Sequence, residues 1–311
     1  MSTESKNSKS VIIIFGPTAS GKTELLLKLF NRRAEVINAD SMQVYKYLDI
    51  GTAKPDPQTR SVLPHHLIDI KDPKEQFNAG EFVRLADKLV GDIINRGKIP
   101  VISGGTAFYL RNFIYGLPES PPGNRKVRET LKVEARKKGL SALYRELKEK
   151  DRVTAEKISP GDSYRIIRAL EVIRQTGKPL SSFRIPETPR KGYSLLPIGL
   201  GRDRIDLYNR INSRVEKMFS MGLSKEIIKL MNMGYSEEDP GMQGIGYREF
   251  FIMQKSGCIT MTGVKDLIKR NSRRYARRQI TFFKRLPEVI WIHPREEEKI
   301  LKLVDTFLVR N

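Results

Sequence analysis

The stretch Val11-Ile12-Ile13-Ile14-Phe15-Gly16-Pro17-Thr18-Ala19-Ser20-Gly21-Lys22-Thr23 decides the fold. An apolar run of strand length opens directly onto the pattern G-x-x-x-x-G-K-[ST], and a helical pattern from Glu24 to Phe30 follows it. That context predicts a polyphosphate-binding loop between a strand and a helix. Gly16 and Gly21 let backbone N–H groups turn inward around phosphate oxygens, with Pro17, Thr18, Ala19 and Ser20 completing the loop. Lys22 reaches the outer phosphates, and Thr23 offers a hydroxyl to a magnesium ion at the helix N-terminus. The loop names a ligand group and leaves the reaction open.

Working outward, the apolar runs Val11 to Phe15, Glu35 to Asn38, His66 to Ile70 and Ile99 to Ser103 alternate with helical patterns, the longest from Ala79 to Arg96. This is the βαβ rhythm of an α/β fold: a P-loop NTPase-like core with a mostly parallel sheet flanked by helices. The segment Leu117 to Gly123 reads as a linker that helices cannot cross. From Asn124 to Gln175 the chain is helical and basic, and residues 121–190 hold 18 Lys/Arg against 9 Asp/Glu. A second Pro-containing connection, Ile185 to Gly192, returns to the apolar run Leu195 to Leu200, which reads as one more strand of the first sheet. Val289 to Ile292 is a last strand. The expected division is a disordered polar N-terminus (1–10), a discontinuous core (11–120 and 191–311) and an inserted all-helical small domain (121–190).

A chain of 311 residues, 39% of them hydrophobic, can bury a sizeable core. Met1 to Ser10 lack the apolar segment of a secretion signal, and no run is long enough to span a bilayer, so a cytoplasmic protein is expected. One cysteine, Cys258, excludes an internal disulfide framework and reads as a packed or bystander thiol; with three histidines there is no zinc cluster to expect. The net charge of +21 is unevenly placed. Residues 1–120 carry 16 Lys/Arg against 13 Asp/Glu, a balance of +3, so +18 falls after residue 120. Such asymmetry points to a polyanionic partner, of which nucleic acid is the usual kind; a basic soluble surface or an acidic membrane gives the same sum.

An ATPase needs an apolar strand ending in an acid that holds magnesium. The candidates are Asp40 and Asp69, whereas Ile99 to Ser103 ends in Gly104-Gly105-Thr106, which weakens a hydrolase reading. Asp40 sits where open α/β sheets place ligand residues, followed by Ser41, Met42 and Gln43, although a helix cap explains the same position. Lys265 to Arg285 holds nine Lys/Arg and one acid. Helical projection gathers Val264, Ile268, Tyr275 and Phe282 on one face, with Lys269, Arg273, Arg277 and Lys284 opposite, so one face packs and the other meets phosphates or solvent. Arg210 and Arg214 share a helix face, with surface salt bridging as the plain reading. Gln243-Gly244-Ile245-Gly246-Tyr247-Arg248 has a composition suited to a nucleotide and also to a turn.

Taken in order, GPTASGKT (16–23), DSMQVY (40–45), DIGTAKP (49–55), GGTAFY (104–109), RIIRALEV (165–172), QGIGYRE (243–249) and RRYARRQITFF (273–283) resemble the tRNA dimethylallyltransferase, or tRNA isopentenyltransferase, family over nearly the whole chain. The resemblance implies that the loop binds dimethylallyl diphosphate. The prenyl group then passes to the N6 amine of the adenosine at tRNA position 37, beside the anticodon, and diphosphate is released. It implies Asp40 as general base, with Thr18 and Arg214 at the substrate and magnesium on Thr23. It assigns RNA contacts to Asp40, Ser41, Met42, Gln43, Thr106, Arg128, Tyr164, Arg165, Ile166, Ile167, Arg168, Gln243, Gly244, Ile245, Gly246, Tyr247 and Arg248. Arg273 and Arg277 join that set from the basic helix. The partner would be the tRNA anticodon stem-loop, gripped by the small domain with the core, and the chain a monomer. Phe282 stands where many members have tryptophan, and the zinc-finger extension of eukaryotic relatives is absent. A P-loop nucleotide or RNA kinase, an adenylate isopentenyltransferase and a non-catalytic RNA-binding protein are the competing readings.

Overall fold

A computed structural model gives the structure of the chain and describes residues 8–257, 260–286 and 288–310. Cys258 and most of the polar N-terminus lie outside the described residues. The first half runs β1 (Lys9–Phe15), α1 (Lys22–Phe30), β2 (Ala34–Asn38), α2 (Pro57–Val62), β3 (His65–His66), α3 (Ala79–Asn95), β4 (Ile99–Gly104) and α4 (Ala107–Tyr115). Four helices follow, α5 (Arg125–Lys138), α6 (Leu140–Lys150), α7 (Arg152–Glu156) and α8 (Ser163–Thr176). The chain then continues through β5 (Tyr193–Leu200), α9 (Arg204–Ser220), α10 (Leu223–Asn232), α11 (Arg248–Lys255), α12 (Met261–Phe283), β6 (Ile290–Ile292) and α13 (Glu297–Arg310). Two compact units result, one from Met1–Ile114 with Arg190–Asn311, the other Tyr115–Pro189.

The first unit is an α/β sandwich on a parallel sheet of order β3-β2-β4-β1-β5-β6. β1 is central because Val11 to Phe15 are apolar without alternation, which suits a strand covered on both faces; all five are fully buried. Its neighbours pair in register, Ile12 with Val101 of β4 on one side and with Leu196 of β5 on the other. The strand begins at Lys9, two residues before its apolar run, because the backbone ladder to Tyr193 and Ser194 recruits Lys9 and Ser10 whatever their side chains. On one face Ile12, Ile14, Val36 and Val101 pack against Leu25, Leu26 and Phe30 of α1 and Ile300 and Val304 of α13. The run Leu195 to Leu200 does return to the sheet, so the core is discontinuous in sequence.

Two expectations are corrected. The run His66 to Ile70 gives only the two-residue β3, because Leu67 and Asp69 take left-handed backbone conformations and turn the chain away. Asp69 accepts from Lys54 and Arg60, and is thereby a counter-ion for two cations. On α12 the buried residues are Val264, Ile268, Ala276, Gln279 and Phe283, so Phe283 rather than Phe282 fills the core, 4.6 Å between ring centres from Phe15. The helix packs on α9 and α11, and near its end Phe283 meets Phe15 of β1.

The second unit is all-helical. Leu131 of α5, Leu143 and Leu147 of α6, Ala155 of α7 and Ile166 and Leu170 of α8 close its core. Within it Glu171 is fully buried and accepts from Arg128, Arg168 and the Asn124 amide. Burial alone would raise that carboxyl; the two guanidiniums and the amide hold it below the usual range instead.

The end of β4 allows no side chain at Gly104. A Cβ there would lie 2.1 Å from the Ala39 carbonyl oxygen, and backbone cannot yield as a flexible side chain does. Gly104→Ala is therefore expected to destabilise the fold by ~3 kcal/mol or more. A urea-unfolding midpoint equal to that of the parent would refute the close approach.

Candidate active site

A cavity of about 1510 Å³ opens in the first unit beside the carboxyl ends of β1, β2 and β4, lined by residues of the phosphate loop, the segments 40–43 and 49–57, and helices α9 and α12. The loop is built for an anion. α1 starts at Gly21, whose φ of 97° suits glycine alone and which supplies no side-chain cap, so the first amides of the helix are left for a ligand. Ser20 is buried with its hydroxyl turned toward Gly16, and contributes backbone only. Lys22 donates from Nζ to the carbonyls of Gly16 (2.9 Å) and Pro17 (3.0 Å).

Three charges converge on this space. Enclosure by protein atoms, and then the neighbouring Arg214, lower the Lys22 ammonium to about 8, against an opposing pull from Asp40. Arg214 is likewise lowered by burial and supported by Asp40. Its guanidinium donates to the Thr52 carbonyl at 3.2 Å. Asp40 follows β2, and its Oδ1 accepts the amides of Met42 (2.8 Å) and Gln43 (3.3 Å). The turn-capping reading of Asp40 therefore holds, and Oδ2 has no protein hydrogen bond among the described residues. Two half-buried cations facing one carboxylate leave the cavity short of negative charge, a deficit that an anion would balance.

Residues distant in sequence fix this geometry, and sequence reasoning missed two of them, Gln279 and Arg202. Gln279, buried in α12, accepts from the Thr18 amide at 3.0 Å and donates to the Gly105 carbonyl at 2.7 Å. It thus ties the loop after β1 to the loop after β4. A Cβ at Gly105 would sit 2.5 Å from Gln279 Nε2 and would displace that amide from its bridging position. Tyr275 borders the cavity with its hydroxyl beside Thr106 and Gln279; burial, then the Asp40 charge, push it up to about 12. The Thr106 hydroxyl accepts the Ser41 amide at 2.9 Å. Gln43 Nε2 donates to the Thr52 and Ala53 carbonyls. Arg210 and Arg202 are structural to the phosphate loop, their Nε groups donating to the carbonyls of Ala19 and Ser20. The surface-salt-bridge reading of Arg210 and Arg214 is thereby overturned.

Of the remaining candidates, Thr18, Ala19, Gly21, Lys22, Thr23, Ser41, Met42, Gln243, Gly244, Ile245 and Arg248 border the same cavity. Tyr247 does not: its ring is fully buried and its hydroxyl donates to Glu226 at 2.6 Å, while Gly246 packs on Gly51. In the second unit Ile166 and Ile167 belong to the apolar core, so neither side chain is offered to a ligand. Arg128 and Arg168 are engaged by Glu171, whereas Tyr164 is 71% exposed and Arg165 beside it is exposed with a 3.5 Å pairing to Asp162. On α12 Lys269 pairs with Glu216, and Arg273 donates to Asn212. Arg270, Arg274, Arg277 and Arg278 of α12, and Lys284 just past its end, are exposed and carry no ion pair among the described residues.

The donor set suits a magnesium ion held chiefly by a bound diphosphate. Thr23 is exposed to the cavity, and its hydroxyl has no protein hydrogen bond among the described residues. No group of three or more His, Cys, Asp or Glu among the described residues could hold a metal alone, and magnesium commonly takes few protein ligands beside substrate phosphates and water.

Known proteins resemble the chain over most of its length. The family model described as IPP transferase matches residues 43–286. A tRNA dimethylallyltransferase of Geobacter sulfurreducens is 42% identical over 297 residues, 94% of each chain. Another, tRNA dimethylallyltransferase 2 of Geotalea uraniireducens, is 45% identical over 284 residues, 91% of each. Among solved structures, the full-length tRNA isopentenylpyrophosphate transferase of Bacillus halodurans superposes with a TM-score of 0.71 at 37% identity, covering 97% of both chains. A eukaryotic dimethylallyltransferase acting on tRNA gives 0.74 at 28% identity, over 92% of this chain and 74% of that one.

The lowered Lys22 sets a pH dependence. An anion favours the charged ammonium, so inorganic diphosphate should bind fully below about pH 8 and ever more weakly as the pH rises through that value. Titration calorimetry from pH 7 to roughly 9.5 on the parent and Lys22→Arg checks this, with the slope confined to the parent. Equal slopes would remove Lys22 from the anion site.

Proposed function

This chain belongs to the IPP transferase family, and we propose that it is a tRNA dimethylallyltransferase taking its prenyl group from dimethylallyl diphosphate. The observation that carries the reading is the meeting of Lys22, Arg214 and Asp40 in one cavity, an anion receptor with a carboxylate at its side. The resemblance of the sequence to enzymes acting on tRNA, and the +18 charge after residue 120, favour RNA over free AMP as acceptor.

The chemistry follows from the placement. An adenine N6 amine is a weak nucleophile because its lone pair is delocalised into the ring, so it needs a labile electrophile and a base. The amine nitrogen bonds to C1 of the dimethylallyl group while the C1–O bond to diphosphate breaks, its electrons leaving with the diphosphate. Asp40 takes the proton that N6 gives up. Lys22, Arg214 and the open amides of α1 stabilise the charge growing on the departing oxygen. A magnesium ion, when bound through the Thr23 hydroxyl, would neutralise more of that charge. Gln279 and Thr106 hold Thr18 and Ser41 in place for both partners.

The target base cannot enter the cavity while stacked, so it is taken out of the anticodon loop. Gln43, Gln243 and Arg248 at the cavity offer hydrogen-bonding groups to RNA. Arg277 on α12 and Tyr164 with Arg165 on α8 offer cations and an exposed ring to backbone and base. No helix among the described residues is long and apolar enough to cross a membrane, and we place the reaction in the cytoplasm with the chain as a monomer.

Purified protein with magnesium, dimethylallyl diphosphate and an anticodon stem-loop should add one prenyl unit to the RNA, read by mass. Prenylation of AMP alone, phosphorylation from ATP, or binding without product would each replace this reading by a different one. Asp40→Asn should lower kcat by ~10²–10⁴-fold while diphosphate binding stays within about twofold. Retained turnover would remove Asp40 as the base.

A further inference from the structure

Glu226 of α10 lies outside the cavity lining, yet it is the acceptor on which the cavity's wall hangs. Its Oε2 accepts the amides of Ile50 (2.8 Å) and Asp49 (3.2 Å); its Oε1 accepts the Gly51 amide (3.1 Å) and the Tyr247 hydroxyl (2.6 Å). No lysine or arginine pairs with this carboxylate among the described residues, so three consecutive backbone amides and one phenol compensate the charge. Such an arrangement is a backbone nest closed on an internal anion.

The other side of the same turn faces the cavity. The Thr52 carbonyl accepts Arg214 and Gln43, each at 3.2 Å, and the Ala53 carbonyl accepts Gln43 again at 3.2 Å. Gln43 donates its own amide to Asp40 Oδ1. The turn is therefore a common mount for the guanidinium at the diphosphate end and for the amide next to the base. Its fit is close: a Cβ on Gly51 would lie 2.5 Å from the Tyr247 ring, and one on Gly246, whose φ is 106°, would lie 3.1 Å from the Gly51 carbonyl oxygen. This explains the burial of Tyr247, which backs the turn and reaches Glu226.

We propose that Glu226 is a positioning residue for the transfer, acting through the 49–53 turn to set Arg214 and Gln43 together. The proposal rests on the prenyl-transfer reading for its kinetic readout, but its Arg214 half is testable by binding alone. Misplacing groups that orient both reactants costs rate out of proportion to the distance moved.

The test uses the full chain. Glu226→Gln keeps the volume and removes the charge that three amides share, and Tyr247→Phe removes one donor and leaves the carboxylate. Well below the melting temperature of each variant, Glu226→Gln should weaken inorganic diphosphate roughly tenfold, lower kcat by about 10–100-fold and raise KM for the stem-loop. Tyr247→Phe should move each value the same way by less, and Glu226→Asp should recover part of the loss. Combined with Gln43→Ala, Glu226→Gln should lose less than the product of the two single losses, because both act through one turn. A variant with a lower melting temperature but unchanged diphosphate affinity and kinetics would reduce Glu226 to a stabilising residue and overturn the proposal, as would full additivity with Gln43→Ala. If the parent fails to prenylate RNA while Glu226→Gln still weakens diphosphate, the transfer reading fails and the mounting of Arg214 stands.

Discussion

Everything at the site depends on the hydrogen-bonded contact between β1 and β4, because the connections leaving these two adjacent strands diverge. From β1 the chain crosses to β2, and from β4 it leads to β5 on the opposite side of β1. The carboxyl ends of such a pair bound an open crevice, the topological switch point at which α/β sheets bind ligands. The two loops facing that crevice are the phosphate loop after Phe15 and Gly104-Gly105-Thr106. Gln279 bridges them; Gly104 is a glycine because the Ala39 backbone leaves no space for anything larger, and a side chain at Gly105 would push the Gln279 amide aside. The order of strands, rather than the loop motif alone, decides that phosphate and base-bearing residues share one cavity.

The electrostatics follow from this placement. Burial disfavours the charges of Lys22 and Arg214, and the Asp40 charge opposes it. Folding accepts this unfavourable arrangement because the receptor is then organised before its anion arrives, so little reorientation remains for the reaction itself. Asp40 divides its oxygens, with Oδ1 on two amides and Oδ2 without a protein hydrogen bond among the described residues. The basic surface is divided in a similar way. Arg128, Arg168, Lys269 and Arg273 are committed to Glu171, Glu216 and Asn212, which leaves a smaller set of open cations than the sequence count implies.

The phosphate loop, the parallel sheet, the inserted helical unit and the return of Leu195 to Leu200 were legible because each is written in contiguous residues: a motif with its context, an apolar run, a proline-rich break. Asp40 was legible from its position after a strand. What escaped was long-range. Gln279 sits 261 residues from the amide it accepts, and no local pattern distinguishes a glutamine on a cationic helix as a bridge. Glu226 looks like any helical acid until its amides are known. Tyr247 and Ile166 were misread for the complementary reason: a motif contains the residues that bind a ligand and those that support them. Helical projection misplaced Phe282 because α12 changes partners along its length. The run His66 to Ile70 misled because left-handed turns at Leu67 and Asp69 are set by contacts with other segments.

The position of the Lys22 ammonium on the carbonyls of Gly16 and Pro17 has a kinetic meaning for the end of the cycle. A pocket preorganised for a highly charged leaving group is at risk of retaining it and stalling. Here the loop carries its own competitor. As the anion departs, the two carbonyl oxygens accept the ammonium's hydrogens, so the lysine is never left bare in a poorly hydrated space. Those two bonds compete with any phosphate oxygen for the same ammonium, so an anion that leaves hands the lysine back to partners within the loop itself.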